Sequence, residues 1–131
     1  QAAHTVVVGS DKVNGRKADV VLAAYYAQQA ALRTIKEAVN NTSVTTAIAG
    51  IAEEFQVSPL EGVLSHKLKK HLIDGNDCII NKANAENQVE EFEFAPGDVI
   101  ALDVIISSGE GKAKESEIRT TVYKREIDMW Y

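Results

Sequence analysis

Residues 59–75 read Pro-Leu-Glu-Gly-Val-Leu-Ser-His-Lys-Leu-Lys-Lys-His-Leu-Ile-Asp-Gly and place two of the chain's three histidines in one basic, strand-like run. Because side chains alternate between the two faces of a strand, His66 shares its face with two leucines, whereas Lys67 and Lys69 lie on the other. His71 falls on the face opposite His66, so the two histidines cannot chelate one ion. His66 is therefore either a hydrogen-bonded core residue or a metal ligand completed by other strands, and both lysines are predicted to face solvent.

The rest of the second half also has the composition of strands separated by glycine, proline or asparagine. The predicted strands are residues 57–60, 64–72, 78–80, 92–94, 98–107 and 119–125. Short connections favour hairpins over crossovers, so the pattern predicts mainly antiparallel pairing.

The first half predicts one more strand and two helices. Residues 3–8 are β-branched and apolar and begin the chain with no turn before them, which predicts a strand and a fragment of a larger domain. From Ala18 to about Asn40, apolar residues recur at helical spacing. The positions predicted to face a sheet are Val21, Leu22, Tyr25, Ala31, Leu32, Ile35 and Val39.

A second, shorter helix is predicted after this one, with Thr45 or a neighbour as its cap. Its apolar stripe is Val44, Ile48, Ile51, Ala52 and Phe55. One strand, two helices and an antiparallel strand series are typical of an α+β domain, with the helices packed on one face of a curved sheet.

Residues 99–106, Val-Ile-Ala-Leu-Asp-Val-Ile-Ile, lack the polar alternation of an edge strand, which predicts a strand buried on both faces. Asp103 is the one ionisable residue in this run. Burying a carboxylate is costly unless it is paired, hydrogen-bonded or bound to metal. Asp103 is therefore either a locally satisfied core residue or a metal ligand or its relic.

Composition and charge narrow the class of protein. The 131 residues are 45% hydrophobic and 25% charged, as in an ordinary domain or part of one. No apolar run approaches the roughly 20 residues that cross a bilayer, and the start lacks the features of a signal peptide, so we expect a soluble chain with no membrane partner. The single cysteine, Cys78, excludes an internal disulfide framework and is expected in the core of a protein from a reducing compartment.

A net charge of -5 argues against a nonspecific polyanion binder, although two basic clusters are present. One cluster is Lys67, Lys69 and Lys70, and the other is Lys112, Lys114, Arg119, Lys124 and Arg125. Each is either a solvated face or a set of phosphate contacts whose affinity would fall with salt. Residues 109–114 lack the spacing of a P-loop, so nucleotide binding is not expected.

Several strings occur in one order along the chain. They are Ala-His-Thr-Val-Val-Val at 3–8, Gly-Arg-Lys-Ala-Asp-Val at 15–20, the histidine run at 58–75, Val-Ile-Ala-Leu-Asp-Val-Ile-Ile-Ser-Ser-Gly-Glu-Gly-Lys-Ala-Lys at 99–114, and Arg-Thr-Thr-Val-Tyr-Lys-Arg-Glu at 119–126. Together they resemble the eukaryotic proliferation-associated proteins, growth-regulatory relatives of type 2 methionine aminopeptidase with the pita-bread (creatinase/aminopeptidase-like) fold. The resemblance implies that residues 1–131 form a single-domain fragment from the middle of a larger pita-bread domain.

The resemblance also implies a degraded metal site. In the peptidases, two Asp, one His and two Glu hold two divalent Mn, Fe or Co ions that activate a bridging water. By this resemblance Gln1 stands where an aspartate is needed, His66 keeps the histidine, and Asp103 replaces a glutamate with a side chain one methylene shorter. We therefore expect a vestigial site with no metal, no cofactor and no peptidase activity. The alternative is an active metal-dependent methionine aminopeptidase, which requires that Gln1 be misaligned and that other segments supply carboxylates.

A noncatalytic protein of this family is expected to act in growth and cell-cycle regulation, in cytoplasm and nucleus. The implied partners are RNA and ribosomal particles, together with DNA or regulatory proteins. The candidate nucleic-acid contacts are Lys67, Lys69, Lys70, Lys112, Lys114, Lys124 and Arg125. A fragment with open sheet edges is also expected to self-associate through them.

Overall fold

The computed structural model describes residues 3–85, 87–115 and 117–123. Within these residues, helices α1 (Gly15–Thr34) and α2 (Asn41–Glu54) precede five short strands. The strands are β1 (Ser58–Pro59), β2 (Leu64–Leu68), β3 (Cys78–Ile80), β4 (Val99–Ala101) and β5 (Ile106–Ser107). The predicted α+β class, with two helices and antiparallel strands, is confirmed.

The strands form two small antiparallel sheets. One has the order β3-β2-β4, with Lys67 opposite Ile100, and the other pairs β1 with β5. The run predicted as one strand over 98–107 therefore serves both sheets and is interrupted between them. Two polar side chains bridge the interruption, because the ladder there no longer satisfies every backbone group. The Ser65 hydroxyl accepts from the N–H of Asp103 at 2.8 Å, and the Asn81 amide donates to the carbonyl of Ile105 at 2.8 Å.

The buried face of α1 overlaps the predicted one only at Ala31, while Ile35 and Val39, just beyond the helix, pack against the core as predicted. The buried face consists of Ala23, Ala27 and Ala31, each fully buried against α2 and the core. Leu22, predicted to cover the sheet, is 44% exposed, and Tyr25 and Leu32 are likewise about half exposed. Small side chains let two helices approach closely, so the alanine face packs inward and the larger residues are left outside.

Both helix starts differ from the predicted ones. α1 begins at Gly15 and ends at Thr34, since the next residue already has extended backbone angles. The cap of α2 is Asn40, whose side chain accepts a hydrogen bond from the N–H of Thr42 at 2.9 Å. Thr45 instead lies inside α2, where it is buried and its hydroxyl donates to the carbonyl of Ile80 at 2.7 Å.

Several predicted strands are shorter or missing. Residues 3–8 form no strand, and the run from residue 64 stops at Leu68. It stops because Lys69 and Leu72 exchange backbone hydrogen bonds of 3.0 and 2.9 Å around a tight turn. The positive φ of 66° at His71 belongs to this turn.

The strands predicted at 92–94 and 119–125 are also almost absent from the described residues. In residues 92–94 only Glu93 is bridged, to Asn40, although the backbone of this segment hydrogen-bonds on both sides of α2's start. Residues 119–123 contain no strand, and the remainder of that prediction lies outside the described residues.

The main core forms where the helices meet the inner face of the sheets. Ile48, Ile79 and Phe94 are nearly fully buried there, and the even-numbered side chains from Ile100 to Ile106 pack against this core or its margin. The odd-numbered side chains point away from the helices, and Val99 is 58% exposed. Burial of this run on both faces was therefore a wrong prediction, because the helices cover only one face. Neither helix is long and apolar enough to cross a membrane, within the part of the chain described.

Candidate functional site

His66 and Asp103 lie on the sheet face that the helices leave uncovered. The register pairs His66 with Ala101, two residues before Asp103. The alternating exposure of residues 99–105 puts Asp103 on the same side of this run as Ala101, and therefore on the side of His66. Asp103 is exposed, which contradicts the predicted burial of its carboxylate. The physical reason is again that only the even-numbered face of this run meets the core.

The imidazole of His66 is held from behind by a backbone carbonyl. Its Nδ1 lies 3.1 Å from the oxygen of Gly75, and the Cys78 Sγ lies 3.4 Å from the same nitrogen. A carbonyl oxygen can only accept, so Nδ1 carries the proton and Nε2 carries the lone pair in the neutral ring. Histidine ligands of metals are oriented by the same kind of carbonyl contact. His66 is thus both hydrogen-bonded and oriented as a ligand would be.

The described residues provide few metal-ligating side chains that could join Nε2 of His66. Among residues 3–85, 87–115 and 117–123, no three His, Cys, Asp or Glu side chains come close enough to hold a metal ion. Gln1, the third predicted position, lies outside the described residues. The structure therefore places His66 and Asp103 on one face and leaves their relation to Gln1 untested.

Cys78 behaves as the predicted core residue. It is 8% exposed, and its thiol donates a 3.4 Å hydrogen bond to the carbonyl of Gly75. Burial, reinforced by the nearby charges of Asp77 and Asp74, raises the pKa of the Cys78 thiol. A thiol with a raised pKa remains protonated at neutral pH and is a poor nucleophile.

Lys67 does not face solvent as predicted. It shares the core-side face of β2, and its Nζ lies 2.8 Å from Asp98, 3.5 Å from Asp77 and 5.7 Å from the centre of the Phe92 ring. The hydrogen bond to Asp98 raises the pKa of Lys67, and together with the backbone N–H of Ala95 it lowers the pKa of Asp98. Lys67 is thus engaged within the domain, where its charge is compensated.

This ion pair makes stability depend on pH. A carboxyl whose folded-state pKa is lowered stabilises the fold above its unfolded pKa of about 3.9, and this contribution is lost as pH falls through the folded-state pKa. We expect Lys67→Met to lower the free energy of unfolding by about 1 kcal/mol at neutral pH, and by progressively less as the pH falls from about 3.9 through the lowered pKa of Asp98. Urea denaturation of both chains across this range measures the difference, with the exposed Lys36→Met as control. An equal loss at both ends of the range would contradict the assignment.

Apart from Lys67 in β2, the described lysines of the two basic clusters lie in separate connections of the chain. Lys69 and Lys70 lie in the turn after β2, near Val99, whereas Lys112 follows β5. Lys112 is exposed and lies 3.4 Å from Glu110, and Lys114 is also exposed. These lysines of the two clusters therefore belong to different loops, and Lys124 and Arg125 lie outside the described residues.

A groove beside Asp103 was not predicted from the sequence. It has a volume of about 390 Å³ and lies between residues 3–5, α1 and residues 102–104, with His4, Tyr25 and Gln28 in its wall. These residues come from three distant parts of the chain and share no motif. No sequence signal could therefore have joined them.

A solved structure has the same fold. A thermophilic Arx1 aligns with 86% of this chain and 38% of its own length, with a TM-score of 0.73 and 24% sequence identity. The chain is part of a pita-bread fold, as predicted.

Relatives in the curated proteins extend over nearly the whole chain, although no protein-family model matches it. ERBB-3 binding protein 1 of Arabidopsis thaliana is 42% identical over 129 residues, which are 98% of this chain and 33% of the relative. Proliferation-associated protein A of Dictyostelium discoideum is 37% identical over 132 residues, 98% of this chain and 34% of the relative. The Curved DNA-binding protein of Schizosaccharomyces pombe is 38% identical over 126 residues, 94% of this chain and 33% of the relative.

Over nearly its whole length the chain is similar to proliferation-associated proteins, which confirms the resemblance found in the sequence. It spans about a third of the length of these curated relatives.

Proposed function

We propose that this chain is part of a noncatalytic, peptidase-like binding protein with a growth-regulatory role. The observation that carries the proposal is the face shared by His66 and Asp103. His66 is retained and its ring is oriented by Gly75, but the acid beside it is the shorter aspartate in an exposed position.

The chemistry of hydrolysis sets the requirement that this face fails to meet. Two-metal catalysis needs carboxylates that bridge two divalent ions and balance their charge. His66 contributes a neutral nitrogen and Asp103 one negative charge, while Gln1 would contribute an uncharged amide. A binding cleft needs no such charge balance, so a protein can keep the cleft after it has lost catalytic activity. The geometry therefore supports binding without turnover.

The proposed partners are RNA and ribosomal particles, together with DNA or regulatory proteins, in the cytoplasm and the nucleus. The names of two relatives support the protein and DNA partners, since one is named for binding ERBB-3 and another for binding curved DNA. Within this chain, the exposed turn with Lys69 and Lys70 is the proposed phosphate contact. Lys67 is not proposed, because Asp98 and Asp77 already compensate its charge.

One preparation of the full-length protein tests both parts of the proposal. We expect no stoichiometric metal after dialysis against Mn²⁺ or Co²⁺, and no cleavage of a methionyl peptide. We also expect single-stranded RNA to bind at low salt, with affinity reduced about tenfold by Lys69→Glu with Lys70→Glu and unchanged by the control Lys36→Glu. Stoichiometric metal with turnover would establish the aminopeptidase alternative. Equal binding by all variants would remove the lysine turn from the proposal.

A further inference from the structure

The outer face of α1 carries large apolar side chains that the domain does not bury. Leu22, Tyr25, Tyr26 and Leu32 are all between 44% and 51% exposed. The rings of Tyr25 and Tyr26 meet edge to face at 5.3 Å, and Tyr26 stacks on Phe55 at 6.0 Å. Contiguous apolar surface of this kind marks an interaction site more often than scattered exposed residues do. We call Leu22, Tyr25, Tyr26, Gln29 and Leu32 the α1 stripe.

The spacing of the α1 stripe is that of a helix-pairing seam. Leu22, Tyr25, Gln29 and Leu32 follow one another at intervals of three, four and three residues, the repeat of the two inward positions in a coiled coil. The buried alanines occupy the opposite positions of the same helix and hold it on the body of the domain. α1 therefore presents one face to its own core and a second, regularly spaced face to the outside.

We infer that two copies of this chain associate through the α1 stripe, with the two helices antiparallel about a twofold axis. Antiparallel pairing centred between Tyr25 and Gln29 sets Leu22 opposite Leu32 of the second copy. The arrangement is self-complementary, as a twofold interface requires. The α1 stripe thus fits a second copy of itself without any other partner surface.

Charge decides between the antiparallel and parallel arrangements. Asp19 and Arg33 flank the α1 stripe on the side of Tyr26, at heptad spacing from it. In the antiparallel pair, Asp19 lies near Arg33 of the second copy, whereas a parallel pair sets the two copies of this position on opposite sides of the seam and forms no such contact. Arg33 donates from one nitrogen to the carbonyl and side chain of Gln29, both at 2.9 Å, and its remaining donors can reach a carboxylate. The inference does not depend on the proposed function.

The association is tested by sedimentation of this chain between about 1 µM and 1 mM, a range that covers weak dimers. We expect a concentration-dependent dimer whose Kd rises at least about tenfold in Leu22→Glu, because the change places a charge in the seam. Ile73, an apolar residue 64% exposed outside the α1 stripe, provides the control Ile73→Glu. A monomer at every concentration, or an equal effect of the control, would overturn the inference.

The orientation is tested by cross-linking under mild oxidation. Residue 22 of one copy lies opposite residue 32 of the other and about 15 Å along the axis from its own counterpart, at 1.5 Å rise per residue. A mixture of Leu22→Cys and Leu32→Cys chains should therefore give disulfide-linked dimers, and either chain alone should not exceed the background set by Cys78. Cross-linking of each variant with itself would show parallel pairing and would contradict the inference.

Discussion

Replacing Asn41 with alanine is expected to lower the free energy of unfolding by about 3–5 kcal/mol, a large fraction of the stability of an ordinary domain. Asn41 begins α2, is 1% exposed, and makes three hydrogen bonds through its side chain. Its amide donates to the carbonyls of Cys78 at 2.9 Å and Glu90 at 3.0 Å, and its oxygen accepts from the N–H of Phe92 at 3.3 Å. Alanine would leave all three backbone groups without that partner.

The three bonds of Asn41 meet at one buried point and add to the backbone hydrogen bonds between the same segments. They fix α2 to β3 and to the irregular run before Phe94, which forms no regular strand of its own. Urea denaturation followed by circular dichroism measures the loss, with the exposed Asn76→Ala as the matched control. A loss of under about 1 kcal/mol would mean that water replaces the side chain and that the segments hold without it.

Local patterns predicted the helices well because helix formation is a local property. The spacing of Val44, Ile48 and Ala52 identified the buried stripe of α2 correctly. In α1 the same reasoning placed Ala31 correctly but left out Ala23 and Ala27, since it weighed Leu22 and Tyr25 by hydrophobicity and ignored the space available. Close contact with α2 favours small residues, and hydrophobic periodicity carries no information about that distance.

The strands were predicted less well because their ends depend on distant residues. The unbroken apolar run at 99–106 gave no sign that it divides between two sheets. Ser65 and Asn81 make that division possible through bonds to residues 38 and 24 positions away. Polar side chains that replace ladder hydrogen bonds have no local signature, so the interruption was invisible in the sequence.

The candidate site was predicted in part for the same reason. Alternation along two strands correctly placed His66 with the leucines and Asp103 with Val99, because a period of two is local. The predicted solvent exposure of Lys67 was wrong. Its charge is compensated by Asp98, and that contact depends on how the chain returns beside β2. Which face of a strand meets the core is a tertiary property, and it decided the burial of both Asp103 and Lys67.

Replacing Gly75 with alanine is expected to destabilise the fold by about 3 kcal/mol or more and to displace the ring of His66. A Cβ at this position would overlap the carbonyl oxygen of Lys67, a backbone atom that can move only with β2. The segment is also fixed by the N–H of Lys67, which donates to the carbonyl of Asp77 at 2.9 Å. Relief of the overlap therefore requires the two backbones to separate.

The same separation would reach the site, because the carbonyl of Gly75 accepts from both His66 and Cys78. Gly109→Ala is the matched control, since a Cβ there meets only the Ser107 hydroxyl at an ordinary 3.7 Å. We expect urea denaturation to separate the two variants, and the imidazole nitrogen resonances of His66 to shift only in Gly75→Ala. If Gly75→Ala kept both stability and the His66 resonances, the close backbone approach would not be what orients the ring. The orientation would then rest on Cys78 alone, and Cys78→Ala would have to reproduce the shift.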